Sequence, residues 1–465
     1  MPILAAFMVP HPPMIVPQVG RGGEEQIRTT IDAYQKVAEE IAALAPDTII
    51  ISSPHTVLYG DYFHISPGTS AAGSFSDFRA PEVRFLEKYD SALVERIEAL
   101  AQKRRFPART MGERDPSLDH GTMVPLYFIR QKYQGFKLVR VGLSGLSLLE
   151  HYVLGELIRQ AAEDLDRRAV FVASGDLSHK LQEYGPYGFA PEGPQYDSRI
   201  MDVCGRGAFG ELFDFSEEFC DKASECGHRS FVIMAGALDG VEVKASVYSH
   251  EDVTGVGYGI CSFYPGAPSE ERKFLEICQK QKEEEAKQRL SRASVYVQLA
   301  YRSMESYIRY GKRLSAEEAM QGLVDTEGLH EQAGAFVSIH EHGRLRGCIG
   351  TILPTTDSVA EEILQNAISA STGDPRFDPV RAEELPMLEI NVDVLGKPEA
   401  IAGPEMLDVK RYGVIVTSGM RRGLLLPDLD GVDTVEQQVS IAMQKGGIRK
   451  GEPVQLQRFE VIRYT

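Results

Sequence analysis

The run Ile3-Leu4-Ala5-Ala6-Phe7-Met8-Val9 ends in Pro10-His11-Pro12-Pro13, and the reading of this stretch decides the fold. An unbroken apolar run is what a strand covered on both faces requires, and the prolines stop it where an imidazole is delivered. The pattern recurs twice. Thr48-Ile49-Ile50-Ile51-Ser52-Ser53 runs into Pro54-His55, and Ala169-Val170-Phe171-Val172-Ala173-Ser174 runs into Gly175-Asp176-Leu177-Ser178-His179. Between the first two runs, Ile27, Ile31, Tyr34, Val37, Ile41 and Leu44 recur at three- and four-residue steps, the apolar face of a helix that Pro46 ends. Strand, helix, strand predicts a crossover joining adjacent parallel strands, hence an α/β domain whose mixed or parallel sheet is flanked by helices. Ligands of such sheets sit beyond the carboxyl ends of the strands. Three histidines on that rim therefore predict a shared pocket, with a metal in it.

Composition narrows the function classes. The chain has 465 residues, of which 43% are hydrophobic and 25% charged, values that exclude disorder and fibre and leave room for two or three cores. No apolar run approaches the ~18 residues of a membrane span, and no basic segment precedes the apolar N-terminus, so neither membrane anchoring nor export is expected. The formal net charge of −17, from 50 basic and 67 acidic residues, argues against nucleic acid as a partner. Six cysteines (204, 220, 226, 261, 278 and 348) form no C-x-x-C pair, which fits reduced thiols in a cytoplasmic protein.

Residues 1–267 read as the first domain. Within it, 56–82 read as a loop or hairpin excursion, 182–197 as a lid rich in Tyr, Pro and Gly, and Gly255–Phe263 as its last strand. Gly255-Val256-Gly257-Tyr258-Gly259 resembles a nucleotide fingerprint, but strand rather than helix follows, so close backbone packing is the better reading. Residues 268–290 form a charged helical linker. Residues 291–465 then read as an α+β domain, with one hairpin turning at Glu341-His342, a second at 418–422, and helices near 358–371 and 435–445.

His11 and His55 are the leading metal ligands, since each follows a proline at an equivalent rim position. A lone histidine there would more simply cap the sheet, and it is the repetition that favours ligation. Two histidines and one carboxylate suit non-haem Fe(II), whereas zinc more often takes His or Cys throughout. Ser224-Glu225-Cys226-Gly227-His228 precedes an apolar helical run and offers Glu225, Cys226 or His228 as the third ligand; spacing does not choose among them. His179 and His120 are placed to move protons, because imidazole titrates near neutrality. Asp119 and Asp176 beside them could equally be turn formers.

Pro10-His11-Pro12-Pro13, Ser53-Pro54-His55, Leu118-Asp119-His120-Gly121-Thr122, Ser174-Gly175-Asp176-Leu177-Ser178-His179 and Glu225-Cys226-Gly227 together resemble the class III extradiol dioxygenases, the LigB-like fold that also contains the Memo proteins. The resemblance implies Fe(II) on His11, His55 and Glu225, His179 as catalytic acid/base, and His120 lining the substrate site. It implies ring opening of a small aromatic substrate, a catechol, beside its two hydroxyls. Memo proteins place a cysteine near the third ligand, where Cys226 stands, so Zn or Cu are the alternative metals. Leu345-Arg346-Gly347-Cys348-Ile349-Gly350 and Asp374-Pro375-Arg376-Phe377 resemble the AMMECR domain, which makes Arg346 and Cys348 further candidates; two apart on a strand, they share a face. The fusion is similar to the two-domain proteins of the AmmeMemoRadiSam system, encoded with a Memo-like protein and a radical SAM enzyme, both expected partners. The expectation is a metal-dependent oxidoreductase; the rival is a non-enzymatic binding scaffold that keeps the fold.

Overall fold

A computed structural model describes residues 2–113, 116–341, 344–382, 384–429 and 431–465. The chain divides into two compact units, Met1–Cys278 and Gln279–Thr465. The first contains β1 (Ile3–Val9), β2 (Thr48–Ser53), β3 (Phe63–His64), β4 (Ser70–Phe75), β5 (Ala80–Lys88), β6 (Ala108–Arg109), β7 (Lys137–Gly142), β8 (Ala169–Ser174), β9 (Val241–Glu251) and β10 (Tyr258–Pro268). Six of them build one sheet in the order β7-β2-β8-β1-β10-β9. The members β7, β2, β8 and β1 are mutually parallel, and β10 and β9 extend the sheet antiparallel.

The expected α/β mixed sheet is therefore present, with one correction. β1 and β2 run parallel but are not neighbours: β8 lies between them, Phe7 pairing with Val172 and Ile50 with Phe171. A crossover helix fixes the direction of the strands it joins and leaves the gap between them open. β8, buried along its whole length, fills that gap. Ile49, Ile50 and Ile51 of β2 are likewise fully buried, each contributing about 1.5–3 kcal/mol of burial free energy.

Helices cover both faces, as sheet strands apolar on both sides demand. Arg28–Leu44 and His120–Lys132 pack on one face, where the Tyr34 and Phe128 rings stack with centroids 4.4 Å apart. Ser91–Lys103, Leu148–Asp164, Glu192–Arg206 and His228–Gly236 pack on the other. The segment read as a loop or hairpin contains the antiparallel pair β4 and β5. Helix Glu192–Arg206 takes the end of the expected lid. The last strand starts three residues later than expected, at Tyr258, and Gly257 sits so close to Asp197 that a Cβ would come within 2.0 Å of its carboxylate oxygen.

The helix Phe274–Arg292 carries the boundary between the units. The second unit holds β11 (Ala335–Glu341), β12 (Arg344–Gly350), β13 (Leu388–Leu395), β14 (Glu399–Ile401), β15 (Tyr412–Ser418), β16 (Arg421–Leu425) and β17 (Gln455–Tyr464). Its antiparallel sheet runs β12-β11-β13-β17-β15-β16, with β14 against β17. Helices Val295–Tyr310 and Val359–Thr372 share a core with β11 and β13. The hairpin turn expected at His342 lies outside the described residues. Among the described residues, no helix is long and apolar enough to cross a membrane. The six cysteines are free.

Candidate metal centre

The rim of the first sheet gathers its histidines as the strand ends dictate. His11 leaves β1 with its backbone N–H donating to Asp176 Oδ1 at 2.7 Å, which ties the end of β1 to the turn after β8. His55 leaves β2 with its N–H donating to Ser53 Oγ at 3.2 Å, and that hydroxyl donates to Asp119 Oδ1 at 2.6 Å. Asp119 also caps the helix His120–Lys132, accepting from the Thr122 N–H at 3.0 Å. His120 thus enters at the first turn of a helix, its ring centroid 4.0 Å from that of His55 and 5.5 Å from that of His11.

His11 Nε2 and His55 Nε2 are 2.9 Å apart, and Cys226 Sγ is 3.7 Å from His11 Nε2. These three donor atoms lie within 4.8 Å of one another, as do those of a second group, Asp176, His179 and Cys226, which shares the thiol. Glu225 is not brought to either group. It is buried behind the rim, where its Oε2 accepts from the His228 N–H at 2.5 Å and caps the helix that follows. His228 is also turned away: its Nε2–H donates to Leu212 O at 3.0 Å, leaving Nδ1 facing the Tyr196 hydroxyl at 3.3 Å.

A hydrogen-bond chain fixes which nitrogen of His11 is free. The Ser174 hydroxyl donates to Gly121 O at 2.6 Å, so its oxygen can only accept from His11 Nδ1, 3.0 Å away. His11 Nε2 therefore presents a lone pair toward His55 and Cys226. By the same logic His179 Nδ1–H donates to Ser224 O at 2.5 Å and leaves Nε2 as an acceptor.

Electrostatics agree with neutral donors. Burial, reinforced by the neighbouring imidazoles, holds His11 well below the usual histidine range, and burial with His120 brings His55 down to about 4. Burial likewise lowers His120 and His179. Burial raises Asp176 to about 7, and burial, Asp176 and Glu225 hold the Cys226 thiol well above its ordinary range. The imidazoles thus stand neutral, while burial keeps the Cys226 thiol protonated, so a divalent cation would bind by displacing the thiol proton and the hydrogen bond between the two imidazoles.

The spacing fits such a cation. Bonds of about 2.0–2.1 Å to nitrogen and about 2.3 Å to sulfur give donor separations of about 2.9–3.4 Å and about 3.1–3.6 Å for right-angled to tetrahedral geometry. The observed separations stand at or near those values. Beside His55 and His120 opens a cavity of about 780 Å³, with Phe78, Phe85, Leu118 and Met123 among its walls.

Sequence reasoning quoted Ser174 and Asp176 but gave neither a role at the metal. Their signal was that both belong to the third copy of the strand-to-histidine pattern. In the second unit, Arg346 Nε donates to Glu384 Oε2 at 2.8 Å, and Ser338 Oγ donates to Cys348 Sγ at 3.2 Å. Asp374 joins the two stretches singled out there, accepting from the Cys348 N–H at 2.9 Å and from Arg376 Nη2 at 2.7 Å.

Residues 5–261 match the family model described as the catalytic LigB subunit of aromatic ring-opening dioxygenase, and residues 297–465 match AMMECR1. A protein of Clostridium acetobutylicum is 40% identical, covering 98% of this chain and 98% of its own. A protein of Thermotoga maritima is 50% identical over 171 residues, 36% of this chain and 96% of that relative. Among solved structures, an uncharacterized protein of Pyrococcus horikoshii is 31% identical, with a TM-score of 0.33 over 36% of this chain and 88% of that one.

Proposed function

We propose that this chain, which belongs to the family of the catalytic LigB subunit of aromatic ring-opening dioxygenases and carries an AMMECR1 domain after it, is a metal-dependent oxidoreductase for a catecholic or phenolic substrate. The observation that carries this reading is the convergence of His11, His55 and Cys226 at the sheet rim beside an aromatic-walled cavity. These three residues would hold the metal, and a bound redox metal would supply Lewis acidity and electron transfer. A thiolate in place of the expected carboxylate of Glu225 moves the preference from Fe(II) toward Cu or Zn.

The protein's own groups have separable tasks. Ser174 holds His11 in the tautomer that ligates. The apolar walls shelter an aromatic ring from water. His179 Nε2, oriented by Ser224 O, accepts the proton that a phenolic hydroxyl gives up on binding, and His120 lines the approach. A radical SAM enzyme and a Memo-like protein are the proposed partners, and the cytoplasm the proposed location.

The Cys226 donor also favours a second reading, a metal-binding scaffold of the Memo/AMMECR type without turnover. One experiment separates them: metal content after anaerobic purification of wild type, His55→Ala, Cys226→Ala and Glu225→Gln, followed by oxygen uptake with catechol. About one metal per chain, lost in the first two variants and kept in Glu225→Gln, with catechol-dependent uptake, supports the enzyme. The same metal without uptake supports the scaffold. No metal in wild type, even after reconstitution, sinks both.

A further inference from the structure

The turn after β8 carries two donors that an ion on His11 and His55 does not use. Asp176 is buried and gives one carboxylate oxygen, Oδ1, to the His11 N–H; among the described residues, Oδ2 accepts no hydrogen bond. His179 commits Nδ1–H to Ser224 O and keeps the lone pair of Nε2. The Asp176 N–H donates to Cys226 Sγ at 3.3 Å, which docks the sulfur against this same turn. One donor atom from each of Asp176, His179 and Cys226 lies within 4.8 Å of the other two.

The sulfur is the only donor this group has in common with the first. Once an ion on His11 and His55 has displaced the thiol proton, the thiolate has three lone pairs, of which that ion takes one. A lone pair of the sulfur is then available on the side of Asp176 and His179. Carboxylate, imidazole and thiolate together suit zinc or another divalent ion of similar softness. Bonds of about 2.0–2.3 Å place tetrahedral donors about 3.3–3.6 Å apart, so this set draws in by at most about 1.5 Å on binding. Rotation of the Asp176 and His179 side chains supplies that.

We propose that the rim has a second metal site, built from Asp176, His179 and Cys226, so that one thiolate bridges two divalent ions. The second ion follows the first, because the first makes the thiolate. This deepens the reading given above and rests on it: His179 is there the group that takes the phenolic proton, and an ion on its Nε2 occupies the lone pair that would do so. The singly loaded chain is then the competent form, and the second ion is an inhibitor that surplus metal supplies.

Co(II) added to the full, metal-free chain reads both sites without any substrate. Chelator competition is expected to give about two ions per chain in wild type. The second is expected to bind at least about tenfold more weakly in Asp176→Asn and in His179→Ala, since even a partner of a ligand costs that much. Both variants keep the first ion, and the asparagine keeps an oxygen for the His11 N–H. Because the two ions share a sulfur, the second equivalent shifts the sulfur-to-cobalt charge-transfer band. Magnetic coupling across that sulfur also weakens the paramagnetic resonance of the first ion. An ion on a surface carboxylate does neither. Wild-type affinity for the second ion in either variant, or a band and a resonance that it leaves unchanged, would overturn the proposal. A single equivalent in wild type that His55→Ala abolishes would overturn it alone and leave the first metal centre standing. No bound Co(II) in wild type would remove both.

Discussion

Gly175 and Gly227 touch backbone to backbone: a Cβ on Gly175 would lie 2.1 Å from Gly227 Cα, and one on Gly227 would lie 2.9 Å from Gly175 Cα. The contact seats the 224–228 segment directly on the end of β8, and that seating carries Cys226 to His11. Backbone cannot rotate aside as a side chain does, so Gly175→Ala must lift the segment. Metal affinity in Gly175→Ala is expected to fall by about tenfold or more, with helix and strand content unchanged. Chelator competition and circular dichroism measure the two. Wild-type affinity in this variant would show that the seating is irrelevant to the thiol's position.

Ser174→Ala removes the oxygen that accepts from His11 Nδ1 while changing almost no volume. The imidazole loses the partner that fixes its tautomer, and metal affinity is expected to drop by about 10–100-fold. Loss in thermal stability without metal should stay near the cost of the two buried hydrogen bonds the hydroxyl makes, to His11 Nδ1 and Gly121 O, about 1–3 kcal/mol. Equal losses in apo and loaded forms would make Ser174 structural only.

His151 reports on acid stability far from the donor set. Its Nδ1–H donates to Ser147 O at 2.8 Å, and burial pushes its pKa down to about 3. The unfolded chain takes up a proton below about 6.5 and the folded ring does not, so the His151 contribution is whole above that pH and drains as pH falls. Between pH 6.5 and 4.5 the loss should reach about 2–3 kcal/mol. His151→Gln is expected to be less stable than wild type at pH 7, the difference narrowing by that amount at pH 4.5. Urea denaturation at the two pH values reads it; parallel curves would mean that the ring titrates normally.

In the second unit, β12 is an edge strand, and the Cys348 N–H points away from the ladder to Asp374. Arg376 and that N–H hold the Asp374 carboxyl well below the usual carboxylate range. Asp374→Asn weakens these charge-assisted bonds by about 1.5–3 kcal/mol, so exchange of the Cys348 amide is expected to quicken by about 10–100-fold. Unchanged exchange would place the protection elsewhere in the strand.

The strands were legible because burial on both faces leaves an uninterrupted apolar run, as in Ile49-Ile50-Ile51. Their order was not, because β8 enters between β1 and β2 through contacts more than 100 residues apart. β9 escaped because its exposed edge position mixes Lys244, Ser246 and Ser249 among its valines. At the rim, His11 and His55 were legible from proline-flanked strand ends. The third donor was not: Glu225 and Cys226 are neighbours in sequence, and contacts made only in the fold, the Gly175–Gly227 approach, the Asp176 N–H to the Cys226 thiol and the His228 N–H to Glu225, separate the one that faces the histidines from the one that does not. Arg140 gave no signal either, since an arginine inside the apolar run Lys137–Gly142 looks like an ordinary interruption until Glu113 and Asp119 are seen beside it.

The distance along the chain between donors has a temporal meaning. Positions 11 and 55 leave the ribosome early, but position 226 follows 215 residues after the first. The donor set cannot close on a nascent fragment, so loading waits until nearly all of the first unit has been synthesised and has collapsed. On the proposed function the ion would bind the native form alone, and the melting temperature is then expected to climb with free-metal concentration. Cells short of that metal would hold a larger unfolded fraction of this protein, making its abundance a record of metal supply.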